Sequence, residues 1–303
     1  MRARLALAGL ALLAAATLQA GEVSFESAGF KMAGTLDVPA KNVLRAGVLI
    51  IPGSGPIDRN GVPRLAPQRP PIYRQWADAM VAAGYTVLRY DKRTLTHPTV
   101  DYKSFDEEAQ IADAFAAFSR LRSQAYLRWF YVVGHSEGGN LGAVMASRSS
   151  AIHGLAVVNS VQFPVDELLL VQLRSLKGVP KSELDEVQHQ LQLIRTGAFP
   201  KDKFLLGASG AYWAQWIAYS RNSPQTLSRL DIPLLLVQSL ADESLPGDTL
   251  ARNVAQLRAV AKANENARLH ELPGLDHSTL RAGAQRVAPQ FTQALVKWLD
   301  GLR

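Results

Sequence analysis

The feature that most constrains the fold is a series of five short apolar runs that alternate with segments of helical spacing. The runs cover residues 48–51, 86–90, 129–133, 155–158 and 234–237. Strands that are buried on both faces read as nearly continuous apolar runs. Strands that alternate with helices are typical of a mostly parallel sheet covered by helices. The sequence therefore predicts the α/β class, with a mostly parallel sheet flanked by helices.

The other elements are placed by the same periodicities. Residues 22–25 and 31–37 alternate like an antiparallel hairpin, and the more polar run 268–272 predicts an edge strand. Helical patterns cover residues 72–83, 105–121, 140–148, 249–263 and 282–299. Residues 161–229 carry helical patterns and no convincing strand, which predicts a helical cap inserted before the penultimate strand. Its aromatic cluster is expected to form mostly the core of the cap, with one or two members lining a pocket: Tyr212, Trp213, Trp216 and Tyr219.

The amino-terminal segment has the pattern of a secretory signal peptide. Residues 1–20 combine Arg2 and Arg4, an apolar run and a small residue, Ala20, at the expected cleavage site. The predicted organisation is a signal peptide over 1–20, the first part of the α/β core over 21–160, a helical cap over 161–229 and the second part of the core over 230–303. We expect an exported protein, in the bacterial periplasm or secreted, without a stable membrane anchor after cleavage.

Composition and motifs exclude several classes of function. The chain has no Cys, which leaves no disulfide framework, no Cys nucleophile and no thiolate metal site. The formal charge of +7 is scattered along the chain, so no nucleic-acid partner is expected. No pair of His residues has the H-E-x-x-H spacing, and no G-x-G-x-x-G follows a strand. We therefore predict neither a metal nor a cofactor.

The strongest motif is G-x-S-x-G at residues 134–138, between a predicted buried strand and a predicted helix. In that context the motif forms a sharp turn in which side chains at Gly134 and Gly138 would collide with backbone. The turn lifts the hydroxyl of Ser136 to the start of a helix, where free N–H groups favour negative charge.

The run Gly-His-Ser-Glu-Gly-Gly at 134–139 resembles the nucleophile elbow of α/β-hydrolase esterases and related serine hydrolases, and the resemblance extends over essentially the whole chain after the signal peptide. It implies the α/β-hydrolase fold with Ser136 as nucleophile. It also implies an oxyanion hole made of the backbone N–H groups of Glu137 and Ser54, although Gly53-Ser54-Gly55 also reads as a flexible turn. The segment 90–93, Tyr-Asp-Lys-Arg, resembles another recurring family segment and is expected to be structural.

A serine nucleophile needs a histidine base, and the chain has six histidines. The family order is Ser, acid, His, which makes His277 the candidate, in a loop after the last predicted strand. His135 is expected to point into the sheet. The acid is predicted to be Asp242, because residues 237–246 resemble the family's acid loop. The alternatives for the acid are Glu243 and, more distantly, Asp166.

The resemblance implies acyl transfer to water: Ser136 attacks a carbonyl, His277 moves the proton, and water resolves the acyl-enzyme. We expect a serine hydrolase that cleaves small to medium carboxylic esters. A peptidase or amidase with the same triad is the alternative, and a thioesterase is a further one. A peptidase would need a charged anchor for a peptide terminus, and the cap sequence identifies none. A non-catalytic ligand-binding protein on the same scaffold is the alternative from another class.

Overall fold

The structure, a computed structural model, describes residues 19–41, 44–97 and 105–302. Most of the predicted signal peptide lies outside these residues. The strands are β1 (Gln19–Ser27), β2 (Phe30–Val38), β3 (Ala46–Ile51), β4 (Thr86–Tyr90), β5 (Trp129–His135), β6 (Gly154–Val158), β7 (Phe204–Leu205), β8 (Ala208–Ser209), β9 (Leu234–Ser239) and β10 (Ala267–Leu272). The helices are α1 (Ile72–Ala82), α2 (Arg93–Thr96), α3 (Glu107–Arg122), α4 (Glu137–Arg148), α5 (Val165–Ser175), α6 (Lys181–Thr196), α7 (Gly210–Ser228), α8 (Thr249–Ala263) and α9 (Pro289–Asp300).

Eight of these strands form one sheet in the order β1-β2-β4-β3-β5-β6-β9-β10. The hairpin β1–β2 and the pair β2–β4 are antiparallel, and every pair from β4 to β10 is parallel. The predicted fold class is thereby confirmed, including β10 as an edge strand. Because parallel strands all end at the same edge, the loops after β3, β5, β9 and β10 meet there.

Helices cover both faces of the sheet because side chains alternate along each strand. In β3, Leu49 and Ile51 join one hydrophobic cluster, whereas Val48 and Ile50 join the other. The first cluster includes apolar residues of α3, α4 and α8, and the second includes those of α1 and α9. Each strand is thus sandwiched, which is why the strands read as unbroken apolar runs.

The segment between β6 and β9 is built from α5, α6, the two-residue strands β7 and β8, and α7. It has its own hydrophobic cluster, in which Leu191 and Ile194 of α6 join Trp213 and Ile217 of α7. The β7–β8 hairpin was not expected from the sequence, because two-residue strands are too short to produce a periodic signal. No helix of the described part of the chain is long and apolar enough to cross a membrane.

One helix boundary differs clearly from the prediction. The apolar spacing predicts a helix from residue 282, but α9 begins at Pro289. Gly283 has a φ of 73°, which a right-handed helix does not allow, and a proline at the first helical position has no N–H to donate. Residues 282–288 are instead held by bends and by the bridge between Leu280 and Val287.

Candidate active site

The motif at 134–138 forms the turn between β5 and α4. Ser136 has φ 54° and ψ −124°, a strained conformation for a residue with a side chain. A Cβ atom on Gly134 would lie well under 3.0 Å from the backbone oxygen of Gly138, and one on Gly138 equally close to that of Ile51. Only glycine fits at both positions. The strained turn brings Ser136 onto the wall of a cavity at the carboxyl edge of the sheet.

The predicted base and acid lie in the loops after β10 and β9. His277 Nδ1 is 2.9 Å from Asp242 Oδ2 and 3.0 Å from Oδ1. The Ser244 hydroxyl, 2.9 Å from the same nitrogen, donates to Asp242 Oδ1. The Asp242 side chain is fully buried, whereas His277 lines the same cavity as Ser136. The structure thus brings Ser136 and His277 to one cavity, with Asp242 buried behind the imidazole and facing its Nδ1.

The pKa values of Asp242 and His277 are shifted in opposite directions. Burial alone would raise the pKa of Asp242, but the charge of His277 and hydrogen bonds from His277 and Ser244 outweigh it, so this pKa lies below that of an ordinary carboxyl group. Burial would likewise lower the pKa of His277, but Asp242 raises it above the ordinary value, with Glu243 and Asp276 contributing. The carboxylate therefore stays ionised and stabilises the protonated imidazole.

The two alternative acids contact other groups. Glu243 Oε2 accepts a hydrogen bond from the backbone N–H of His277 at 3.0 Å and lies at the surface. Asp166 lies at the start of α5 and forms an ion pair with Arg195 of α6. The carboxylate at the imidazole is thus Asp242, whereas Glu243 contacts the backbone of the His277 loop and Asp166 joins α5 to α6.

The predicted oxyanion loop lies directly beside the nucleophile. A Cβ atom on Gly53 would be 3.1 Å from the Cβ of Ser136. Both peptide groups of Gly53 are held: its N–H donates to the Tyr73 hydroxyl at 2.9 Å, and its carbonyl accepts from Lys92 Nζ at 2.8 Å. Ser54 lines the cavity with Ser136, and Glu137 follows the nucleophile as the first residue of α4.

His135 does more than fill the sheet. Its Nε2 lies 2.9 Å from the carbonyl oxygen of His277, and its Nδ1 lies 2.9 Å from the Tyr73 hydroxyl. Burial lowers the pKa of His135 to about 3, so the ring is neutral. A neutral ring that donates from Nε2 must accept at Nδ1, which assigns the tautomer. Three hydrogen bonds, Gly53 to Tyr73, Tyr73 to His135 and His135 to the His277 carbonyl, therefore link the loop after β3 to the loop after β10. No sequence signal pointed to Tyr73.

A buried charged group lies behind the elbow. The Glu137 carboxylate accepts from Lys92 Nζ at 2.8 Å, from Gln110 Nε2 at 3.2 Å and from the Tyr212 hydroxyl. Burial and then the charge of Glu137 raise the pKa of the neighbouring Glu107 well above the ordinary value. Through the hydroxyl of Tyr212, the network connects α7 to the elbow.

The cavity has a volume of about 680 Å³ and a mostly apolar wall. None of the described residues that line it carries a carboxylate, ammonium or guanidinium group. A second cleft of about 250 Å³ reaches Ser136 and His277 from the side of the 56–71 loop, with Arg69 and Glu243 on its wall. Over residues 19–41, 44–97 and 105–302, no cluster of three or more metal-ligating side chains is present. The main cavity lining includes Val161, Val165, Leu168, Leu169, Tyr212, Trp213, Trp216 and Leu245.

Solved structures share this architecture over nearly the whole chain. Est1E from Butyrivibrio proteoclasticus superposes with a TM-score of 0.60 at 16% identity and covers 93% of this chain and 98% of its own. The chain has the α/β-hydrolase fold. Two further α/β-hydrolase neighbours are proline iminopeptidase from Mycobacterium smegmatis (TM-score 0.63, 15% identity, 93% and 98% coverage) and the Pyrococcus furiosus esterase Pf2001 (0.59, 14%, 94% and 91%).

Among curated proteins, the chain is similar to the esterase EstD from Thermotoga maritima, with 29% identity over 205 residues. The match covers 67% of this chain and 48% of EstD, so the chain spans about half the length of that relative. No protein-family model matches the chain. The α/β-hydrolase fold expected from the Gly-His-Ser-Glu-Gly-Gly elbow is confirmed.

Proposed function

We propose that the protein is a serine carboxylesterase that cleaves esters of apolar carboxylic acids through an acyl-enzyme on Ser136. The observation that carries the proposal is the Asp242–His277 pair, whose imidazole opens on the same cavity as Ser136. The relative EstD is named an esterase, as is the structural neighbour Pf2001.

In the first step His277 Nε2 takes the proton of the Ser136 hydroxyl, and Oγ forms a bond to the ester carbonyl carbon. The oxyanion of the tetrahedral intermediate accepts hydrogen bonds from the backbone N–H groups of Ser54 and Glu137. The carbon–oxygen bond to the alcohol then breaks, and His277 returns the proton to the leaving oxygen. In the second half of the reaction His277 takes a proton from water, and the water oxygen attacks the acyl carbonyl carbon. The bond to Ser136 then breaks, His277 returns the proton to Ser136, and the acid is released.

The cavity wall supports an uncharged, apolar acyl group. A carboxylate or ammonium group in a cavity without a charged partner would lose hydration without compensation. An aminopeptidase would need a free acid to bind the amino terminus of its substrate, and none of the described residues on the wall of the main cavity carries a carboxylate. This favours esters over peptides with a free amino terminus.

The test is hydrolysis of 4-nitrophenyl esters of increasing acyl length by the wild type and by Ser136→Ala. Ser147→Ala is the matched control, since Ser147 lies on the same helix with its hydroxyl bonded to the Val144 carbonyl. We expect turnover by the wild type and the control, and near-complete loss in Ser136→Ala. A wild type that is inactive on every ester and is not labelled by a fluorophosphonate would contradict the proposal. Cleavage of amino-acid 4-nitroanilides alone would replace it with a peptidase.

We further propose that residues 1–20 direct export and that 161–229 act as a cap that forms the acyl pocket. Cell fractionation of the full chain, with sequencing of the mature amino terminus, tests the first proposal. A mature protein that still begins with Met1 and stays with the cytoplasmic fraction would contradict it.

A further inference from the structure

Lys92 joins the two segments that carry the predicted oxyanion donors. Its side chain is almost fully buried, with 7% exposure, and Nζ lies 2.8 Å from both the Gly53 carbonyl oxygen and Glu137 Oε2. Glu137 carries one donor on its own backbone. The Gly53 carbonyl belongs to the same peptide group as the other donor, the N–H of Ser54.

The geometry of that peptide group gives the lysine a direct effect on the donor. A peptide group is planar, and no cis peptide bond occurs among the described residues, so the C=O of Gly53 and the N–H of Ser54 point in opposite directions. An ammonium group that binds the carbonyl therefore directs the N–H away from Lys92. Ser54 lies on the cavity wall together with Ser136.

Charge adds to the geometric effect. A hydrogen bond from an ammonium group is roughly twice as strong as one between neutral groups. By polarising the amide, it also strengthens the donation from the N–H at the other end of the same peptide group. The ammonium group lies at the carbonyl end of this peptide group, and the N–H that it polarises lies at the opposite end.

Stability alone gives little reason to bury this pair. Apolar residues of similar volume often replace a buried ion pair without loss of stability, because two charges must be removed from water. Here the buried Lys92 donates a hydrogen bond to the Gly53 carbonyl, which belongs to the same peptide group as the Ser54 N–H. Its acidic partner, Glu137, carries the other predicted donor on its own backbone. On its other side, Gly53 donates its N–H to the Tyr73 hydroxyl, which fixes the same residue from the opposite direction.

We propose that Lys92 is a positioning residue of the oxyanion hole: it binds the Gly53 carbonyl, directs the Ser54 N–H at the oxyanion, and is itself held in place by Glu137. This inference rests on the proposed ester hydrolysis at Ser136. It assigns a role in rate enhancement to a residue that touches neither the substrate nor the reacting atoms.

The experiment compares Lys92→Met/Glu137→Gln, which leaves no unpaired buried charge, with Glu137→Gln alone. Steady-state kinetics on 4-nitrophenyl butyrate give kcat and KM, and inhibition by butylboronic acid reports the affinity for a tetrahedral adduct. We expect kcat and boronate affinity of the double variant to fall about 10- to 100-fold below those of Glu137→Gln, with KM little changed. This loss of rate is smaller than the loss caused by removing an oxyanion donor completely. Lys92→Arg, which retains a charged donor, should restore part of kcat.

A matched control removes another buried ion pair that lies away from the cavity. Arg89 and Asp37 are 2% and 3% exposed and are paired at 2.8 Å, so Arg89→Met/Asp37→Asn shows the effect of losing such a pair by itself. If the Lys92 double variant fails to fold by circular dichroism, Lys92→Gln/Glu137→Gln, which keeps neutral hydrogen-bonding groups, takes its place. A folded variant of either kind with kcat and boronate affinity equal to those of Glu137→Gln overturns the inference.

The rate of Ser136 labelling by a fluorophosphonate separates this inference from the proposed function. Phosphonylation also develops negative charge on an oxygen in the oxyanion hole, so labelling of the Lys92 variants should slow even if no ester tested is a substrate. Active wild type with unchanged Lys92 variants contradicts only the role of Lys92. Wild type that neither turns over esters nor becomes labelled contradicts both proposals.

Discussion

Replacing Asp242 by Asn tests which acid orients the base. In the structure both carboxylate oxygens lie within 3.0 Å of His277 Nδ1, so the carboxylate can only accept from that nitrogen. An asparagine amide in the same place presents an N–H₂ donor to Nδ1, which favours the tautomer with its proton on Nε2. That tautomer cannot accept the proton of Ser136.

The loss of the correct tautomer in a serine protease triad costs about 10⁴-fold in kcat. In this protein the Ser244 hydroxyl lies 2.9 Å from Nδ1 and can accept its proton, which retains part of the correct population. We therefore expect kcat of Asp242→Asn to fall about 10³- to 10⁴-fold, or about 4 to 5.5 kcal/mol of barrier. KM should change little, because Asp242 does not line the cavity.

The assay measures kcat and KM on 4-nitrophenyl butyrate for Asp242→Asn beside the matched variants Glu243→Gln and Asp166→Asn. Glu243 accepts a hydrogen bond from the backbone of the His277 loop, and Asp166 is paired with Arg195, so kcat of each variant should fall less than about fivefold. The assignment would be refuted if Asp242→Asn kept most of its kcat while one of the other two variants lost activity to the predicted extent.

Three further predictions concern pH, the elbow and the cavity. Because the pKa of His277 lies above 6.5 and the base must be neutral, kcat/KM should fall as the pH drops through that raised pKa. Glu243 contributes to the raised pKa, so Glu243→Gln should move the midpoint of the pH profile to lower pH. A midpoint that stays in place would contradict this prediction. Gly138→Ala should lower Tm by about 6 °C or more and abolish activity, because its Cβ would collide with the Ile51 carbonyl. The control Gly21→Ala should leave Tm unchanged, because a Cβ atom at that position meets no other atom within 4 Å. Leu168→Trp narrows the cavity and should lower the octanoate-to-acetate ratio of kcat/KM by about tenfold or more; an unchanged ratio would exclude Leu168 from the acyl site.

The parts of the fold that were predicted correctly are those that leave a local signal. Buried strands are apolar on both faces, and the two glycines of the elbow flank Ser136 in one five-residue motif, so both appear as short patterns. The predicted start of α9 was wrong because Ala284, Val287 and Phe291 have helical spacing. In the structure Gly283 and Pro289 determine where the helix starts, but the prediction gave more weight to the apolar spacing than to these two residues.

The supporting contacts of the site leave no such pattern. Lys92 lies 39 residues from Gly53 and 45 from Glu137 along the chain, and Tyr73 lies 62 from His135, so these contacts exist only once the sheet has formed. Ser244 is the exception. It follows Asp242 by two residues and donates its N–H to the carboxylate, a local turn that is readable from Asp-x-Ser.

The wall of the main cavity is also the core of the cap. Val165, Leu168, Trp213 and Trp216 belong to the hydrophobic cluster of the cap and line the space beside Ser136. An apolar acyl group that enters this space completes the packing of that cluster, so its binding free energy adds to the stability of the cap. The acyl-enzyme should consequently be the most rigid state of the cap, and its hydrolysis, by removing the acyl group, loosens the segment through which the product acid must leave.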